Sequence, residues 1–395
     1  MRPEGRRHLV FFADCPYYAG AEAYVGMLAE AAPQGWRLSA LVPEGDPGEL
    51  LARRLGAAGV EVLRMRLRAW RHPALWREIS ALLRQLNGDR LHLNIPSVYD
   101  ARLSVPAVIA KRLGYERIVS TEHLPMVPRA RRRMLVKMLT SRAIDAIIVH
   151  TEWNRERLAR YHHMPAGKIV VIPNGSPEAP AITPEARREL RRSLGAERDE
   201  TAIAVVGRLT ARKGHRFLLE ALSRLEADLR EAWRLWVVGT GEEREALIEQ
   251  AARLGIAARV NFLGQRDDAR EIIGVCDMLV LPSLLETQPL VLTEAMAAAR
   301  PVVSTAIYGI PEIVADGVTG CLVPPAEIEP LAQSLARLIR DPDLARRLGA
   351  AGRERYEALF TLRQMAERTY RVFEGPLRRA PAGAPEMETP MGRTR

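Results

Sequence analysis

Leu281-Pro-Ser-Leu-Leu-Glu286-Thr-Gln-Pro289-Leu-Val-Leu-Thr-Glu294-Ala-Met296 sets one carboxylate in a loop, a proline at the start of a helix, and a second carboxylate just over one turn inside it. Met278-Leu-Val-Leu281 before it reads as a buried strand, and Pro301-Val-Val-Ser304 after it reads as the next. A strand, loop, helix, strand order places the loop at the carboxyl edge of a parallel sheet, where open α/β folds bind ligands. Pro289 suits a first helical position because its missing N–H removes no bond there. The amides of Leu290 and Val291 are then orphan donors able to hold a phosphate. Glu294 lies one turn below Leu290 on the same face, leaning toward the helix start, within reach of a ribose attached to that phosphate. Glu286, on the loop side, is placed to accept bonds from hydroxyls of a group carried at the far phosphate. An isolated pair of glutamates at this spacing more often marks an ordinary surface, so the flanking strands carry much of the weight.

The same rhythm runs outward in both directions. Short β-branched runs at 9–13, 38–42, 60–63, 91–95, 118–121, 146–149 and 169–172 alternate with helical patterns, the reading of one doubly wound unit. The Pro-rich stretch 174–184 breaks the alternation, and a second series follows at 202–206, 235–238, 260–263, 278–281, 302–304 and 321–323. Helical segments at 328–340, 344–359 and 362–373 close the chain. The expectation is a first Rossmann-like domain over 1–180, a second over 181–360, a last helix at 361–375, and a disordered tail at 376–395 with four prolines and no apolar periodicity.

At 395 residues the chain is long enough for two such cores. No run of about 18 apolar residues occurs, so no transmembrane helix is expected. The basic start with a short apolar run, Met1 to Ala13, lacks a long h-region and reads as the first core strand of a cytoplasmic protein. Cys15, Cys276 and Cys321 show no paired spacing, against a disulfide framework or a zinc site.

The net charge of +10 suggests nucleic acid until it is divided. Residues 1–180 hold 27 Lys+Arg against 17 Asp+Glu, whereas 181–395 hold 31 of each, so the excess lies entirely in the first half. It peaks at 129–142 with Arg129, Arg131, Arg132, Arg133, Lys137 and Arg142, beside a stripe of Met134, Leu135, Met138 and Leu139. That pattern fits a basic amphipathic helix on an anionic membrane surface, at the inner face of the membrane for a cytoplasmic protein; it fits equally a solvated helix face packing its stripe inward. Few aromatics and no aromatic–basic interleaving argue against nucleic acid.

Other candidate positions stand at strand ends. Val206-Gly207-Arg208-Leu-Thr-Ala-Arg-Lys213-Gly214 follows a strand, so Arg208 and Lys213 stand at the inferred phosphate edge. Lys is rare here, four against 54 Arg, and a compact ammonium in place of a fork fits a diphosphate, although chance also places one. Gly239-Thr-Gly241-Glu is a weak dinucleotide fingerprint, with Arg244 at the third glycine's place. Ala19-Gly20-Ala21-Glu22 reads either as a second anion site or as an ordinary helix start with Glu22 complementing the dipole. His123 follows a strand and precedes Pro125, a placement that fits a functional or a structural histidine.

Together these pieces resemble the retaining GT-B glycosyltransferases, and within them glycosyltransferase family 4. The resemblance covers nearly the whole chain and is strongest from Ala202 to Pro325. It rests on Gly207-Arg-Leu-Thr-Ala-Arg-Lys-Gly214, Asn261-Phe-Leu-Gly264, Leu281-Pro-Ser283 with Glu286 and Glu294, Gly309-Ile-Pro-Glu-Ile-Val314 and Asp316-Gly-Val-Thr-Gly320. It implies two facing Rossmann-like domains with a last helix crossing back. A nucleotide-sugar donor, UDP- or GDP-linked, is held by the second domain and an acceptor by the first. Transfer retains the anomeric configuration, with no metal and no cofactor beyond the donor. By position, Arg208 and Lys213 match the pair stabilising the leaving diphosphate, Glu286 the contact to donor-sugar hydroxyls, and Glu294 the ribose holder. His123 matches the residue at the donor sugar beside the scissile bond, and Gly20 falls in the N-terminal glycine-rich loop. Thr287-Gln288, Tyr308 and Ala19 depart from the family pattern, where a glycine and a large apolar residue, a glycine, and a glycine are usual. A nucleotide-sugar epimerase or an inactive binding subunit of the same architecture are the competing readings.

Overall fold

The computed structural model describes residues 7–14, 18–66, 73–96, 101–124, 131–162, 164–197 and 199–375, and the expected disordered tail lies outside them. Two units divide the chain, one comprising Met1–Asn174 with Leu362–Arg395 and the other Gly175–Thr361. Both are Rossmann-like parallel sheets.

The first sheet comprises β1 (Arg7–Ala13), β2 (Trp36–Pro43), β3 (Glu61–Met65), β4 (Arg90–Ile95), β5 (Arg117–Glu122), β6 (Ala146–Val149) and β7 (Ile169–Val171). Their spatial order is β3-β2-β1-β4-β5-β6-β7, every pair parallel. The order reverses between β1 and β4. Central strands are buried on both faces, which is why they read as unbroken apolar runs such as Leu9-Val-Phe-Phe-Ala13. The helix Leu362–Glu374 belongs to this unit: the Tyr370 hydroxyl donates to Leu28 O at 2.9 Å, and Phe373 is fully buried.

The second sheet comprises β8 (Thr201–Val206), β9 (Trp233–Val238), β10 (Val260–Gly264), β11 (Met278–Leu281), β12 (Val302–Thr305) and β13 (Gly320–Val323), in the order β10-β9-β8-β11-β12-β13. Alternate residues feed two cores. Ile203, Val205, Leu235 and Val237 pack on one face with Leu218, Leu222, Leu331 and Leu335. Ala202, Ala204, Trp236 and Leu279 pack on the other with Leu292, Met296, Tyr356 and Phe360.

The second unit begins at Gly175, earlier than the expected 181. The reason is local bonding: Ser176 donates its amide to Phe360 O at 3.0 Å and bridges Thr361, while the Tyr356 hydroxyl donates to Ser176 O at 2.9 Å. The Pro-rich stretch that breaks the sequence rhythm is thereby already part of the second body.

Candidate functional site

In the second sheet the strand order reverses at β8 and β11, and the loops after these neighbours carry most of the expected residues. The two loops are stitched together by backbone. Leu284 donates its amide to Arg212 O at 2.7 Å. Gly214 has φ +69°, and a Cβ there would meet Pro282 O at 2.0 Å, so only glycine permits this approach. Gly239, after β9, backs onto the same edge, where a Cβ would meet Gly207 O at 2.0 Å. The Gly239-Thr-Gly241 stretch is thus explained by close backbone packing against 207–209.

The Lys213 stem lies over Gly207, whose ideal Cβ position is 3.5 Å from Nζ. Its ammonium forms an ion pair with Glu286, both side chains being largely buried. Arg208 is half-exposed, with its guanidinium 3.7 Å from Glu242. His215, at the next helix start, is held neutral at about 4 by burial and by the Lys213 charge.

The helix Leu290–Ala297 starts one residue later than expected. Pro289 is its N-cap, with φ −71° and ψ 128°, not its first helical residue. The ring satisfies both positions at this φ, and ψ decides between them; Thr287 and Gln288, both buried, fix the chain's entry. The orphan donors remain: Leu290 and Val291 occupy the first two helical positions, while Leu292 donates to Pro289 O at 3.2 Å. Glu294 is partly buried, and its carboxylate makes no hydrogen bond or ion pair among the described residues. Burial raises its pKa, with Arg270 pulling the other way. An unpartnered carboxylate one turn inside a helix, beneath free amides, is an acceptor waiting for hydroxyl donors. Ser283 Oγ, wholly buried and without a hydrogen-bond partner, stands in the same loop; the sequence places it in the motif without giving it a role.

In the first unit, Gly20 opens the helix Gly20–Glu30 after β1. The buried Glu22 carboxylate accepts from the Ala19 amide at 2.9 Å, which gives the helix-start reading its geometry. His123 follows β5 and belongs to a cluster that residue spacing did not reveal. Its Nε2 is 2.8 Å from Asn94 Oδ1, and its Nδ1 is 3.1 Å from His150 Nε2. His150 Nδ1 in turn meets Ile172 O at 3.0 Å. Tyr24 lies edge-on against both rings, 5.2 Å and 5.3 Å between centroids. Burial holds His92 at about 3 and His150 at about 4, and keeps His123 well below its ordinary value. The three imidazoles are therefore neutral at pH 7.

The basic segment is only partly a surface. Arg129 lies outside the described residues, and the helix spans Arg131–Thr140. Lys137 is a correction to the charge count: it is buried and paired with the Glu122 carboxylate. Sequence separation hid that partner, which stands at the end of β5. Arg132 and Arg133 are exposed, as are Leu135 at 52% and Leu139 at 48%.

Among the described residues no cluster of His, Cys, Asp or Glu is arranged to hold a metal ion, and no helix is long and apolar enough to cross a membrane.

Comparison with known proteins bears on both units. The family described as Glycosyl transferases group 1 matches residues 186–355, and that described as Glycosyltransferase Family 4 matches residues 18–177. A D-inositol 3-phosphate glycosyltransferase of Mycobacterium sp. (strain KMS) is 35% identical over 207 residues, covering 51% of this chain and 47% of that protein. The lipopolysaccharide core biosynthesis glycosyltransferase LpsE of Rhizobium meliloti is 30% identical over 202 residues, 51% of this chain and 53% of that one. The matched region thus spans about half the length of these curated relatives. Among solved structures, Anabaena HepE in complex with UDP-glucose superposes with a TM-score of 0.80 at 21% identity, over 93% of this chain and 99% of that one. At that identity the likeness establishes the two-domain GT-B fold.

Proposed function

From the premise that this chain belongs to glycosyltransferase family 4, we propose that it moves a sugar from a nucleoside-diphosphate donor to an acceptor, with retention of configuration and no resident metal. The observation that carries this reading is the switch-point edge of the second sheet. There a largely buried ammonium on the β8 loop faces the loop that leads into the helix with two free amides and an unpartnered carboxylate.

The chemistry follows from charge. Breaking the bond between the anomeric carbon and the phosphate oxygen leaves the electron pair on the diphosphate. Arg208, Lys213 and the Leu290 and Val291 amides are the fixed positive ends that lower the cost of that charge. Glu294 accepts from the ribose hydroxyls. Glu286 accepts from hydroxyls of the transferred sugar, and its ion pair with Lys213 holds both groups in place before the donor arrives. Gly207 lets the β8 loop approach the diphosphate. His123 takes a donor-sugar hydroxyl, and Gly20 belongs to the first unit's loop at the acceptor side. UDP is the first nucleotide to try, since the neighbour HepE was solved with UDP-glucose; GDP is the second.

The acceptor reading rests on the exposed leucines. Leu135 and Leu139 stand one turn apart beside Arg132 and Arg133, an arrangement suited to an anionic bilayer that presents a lipid-linked or envelope acceptor at the cytoplasmic face. Lys137 takes no part, being spent on Glu122.

The deciding experiment incubates purified protein with UDP- and GDP-sugars and measures release of the nucleoside diphosphate, with and without EDTA. Release that survives the chelator is expected. Epimerised sugar still attached to the nucleotide would support an epimerase, and binding without turnover an inactive subunit.

A further inference from the structure

His123, His150 and Ile172 stand in one row at the carboxyl edge of the first sheet, and hydrogen-bond complementarity along that row fixes where each proton sits. Ile172 O is a carbonyl and only accepts, so His150 Nδ1, 3.0 Å away, carries the hydrogen. A neutral imidazole has one N–H, which leaves His150 Nε2 bare. His123 Nδ1, 3.1 Å from it, must then be the donor. By the same rule His123 Nε2 is bare, and it faces Asn94 Oδ1 at 2.8 Å, acceptor against acceptor. Asn94 Nδ2, meanwhile, is buried with no hydrogen-bond partner. Exchanging the oxygen and nitrogen of that amide, which are alike in shape, turns the contact with His123 Nε2 into a donor facing an acceptor.

We propose that His150 is a positioning residue that locks His123 in its Nδ1–H tautomer, with Asn94 donating its amide to the bare Nε2. The consequence is chemical. His123 offers a lone pair and no proton, so it receives a hydroxyl hydrogen from a bound ligand in place of the Asn94 amide and does not act as an acid. Tyr24, edge-on to both imidazoles, restrains the rings against rotation. That the ligand is a donor sugar rests on the proposed function; the tautomer does not.

The test is long-range proton–nitrogen NMR on the full chain labelled at its eight histidines, without donor, at pH 7. His123 is expected to show a protonated Nδ1 and a bare Nε2. A protonated Nε2, or an imidazolium, in the unaltered protein overturns the proposal even if no variant folds. His150→Phe removes the acceptor and should shift the His123 proton to Nε2, while His150→Gln, whose carbonyl replaces it, should restore the Nδ1–H form. An unchanged tautomer in His150→Phe would also overturn it. Asn94→Asp discriminates the amide orientation: a carboxylate facing a bare Nε2 should drive His123 to take a second proton, whereas no change means that Asn94 was accepting all along and the proposed lock is wrong. In the transfer assay, His150→Phe should lose kcat with donor KM held, and His150→Gln should recover it. Wild-type turnover in His123→Ala would remove the catalytic role and leave the tautomer assignment standing.

Discussion

Replacing Lys213 separates what the ammonium does for the fold from what it does for a leaving diphosphate. In the free protein it is paired with Glu286, the two side chains retaining only 14% and 16% exposure. Lys213→Met keeps the stem that lies over Gly207 and removes the charge, leaving Glu286 charged and largely buried. Breaking a fully buried pair costs about 3–5 kcal/mol, and the residual solvent access here reduces that to about 2–3 kcal/mol. For a unit of this size the loss corresponds to a fall in melting temperature of roughly 4–12 °C. Adding Glu286→Gln removes the stranded charge, so Lys213→Met/Glu286→Gln should regain much of that difference. Turnover is expected to behave otherwise. Loss of one electrostatic stabiliser lowers kcat by roughly 10²- to 10³-fold, and the second substitution supplies no new positive charge. The double variant should therefore be restored in stability and still be inactive. Thermal unfolding by circular dichroism and nucleoside-diphosphate release are the two measurements. A double variant no more stable than Lys213→Met would mean that the pair contributes nothing in the free protein. One that recovers turnover along with stability would refute the leaving-group role and reduce Lys213 to a structural residue.

Arg208→Ala, at a half-exposed site, should leave the unfolding free energy within about 1 kcal/mol of wild type while lowering kcat by roughly 10²-fold or more; normal kinetics would take it out of the mechanism. Glu294→Ala should act on donor KM, because ribose contacts are alike in ground and transition states, whereas Glu286→Ala should act on kcat; identical KM-only effects would misplace Glu286. Glu294 has a folded-state pKa raised above its unfolded value, so its charge costs stability that is lost as pH rises through that interval. Glu294→Gln should thus stabilise the donor-free protein at pH 8, the gain vanishing below the ordinary carboxylate range. Replacing Arg132 and Arg133 by Gln should abolish flotation with anionic liposomes at low salt and leave nucleotide binding unchanged; failure of the unaltered protein to float would reject the membrane surface.

Strand positions were legible because both sheets are parallel and covered on two faces, so each strand writes itself as an unbroken apolar run. The residues at the sheet edges were legible for the same reason: a residue in the loop past such a run stands at the carboxyl edge, as Arg208, Glu286 and His123 do. What escaped were pairings between distant segments. Lys137 looked like one charge in a basic stripe because Glu122, its partner, stands 15 residues earlier on another element. His150 is out of reach of spacing within a segment, which finds helical neighbours and not residues on adjacent strands. Yet the information was present one level up. The register that sets Thr121 against Ile148 and Val149 against Val171, continued past the strand ends, aligns His123 with His150 and His150 with Ile172. In a parallel sheet, then, residues that follow successive strands should be read across the sheet as a row, and it is that reading, not proximity in sequence, that brings a histidine, its orienting partner and the carbonyl that anchors both to one place.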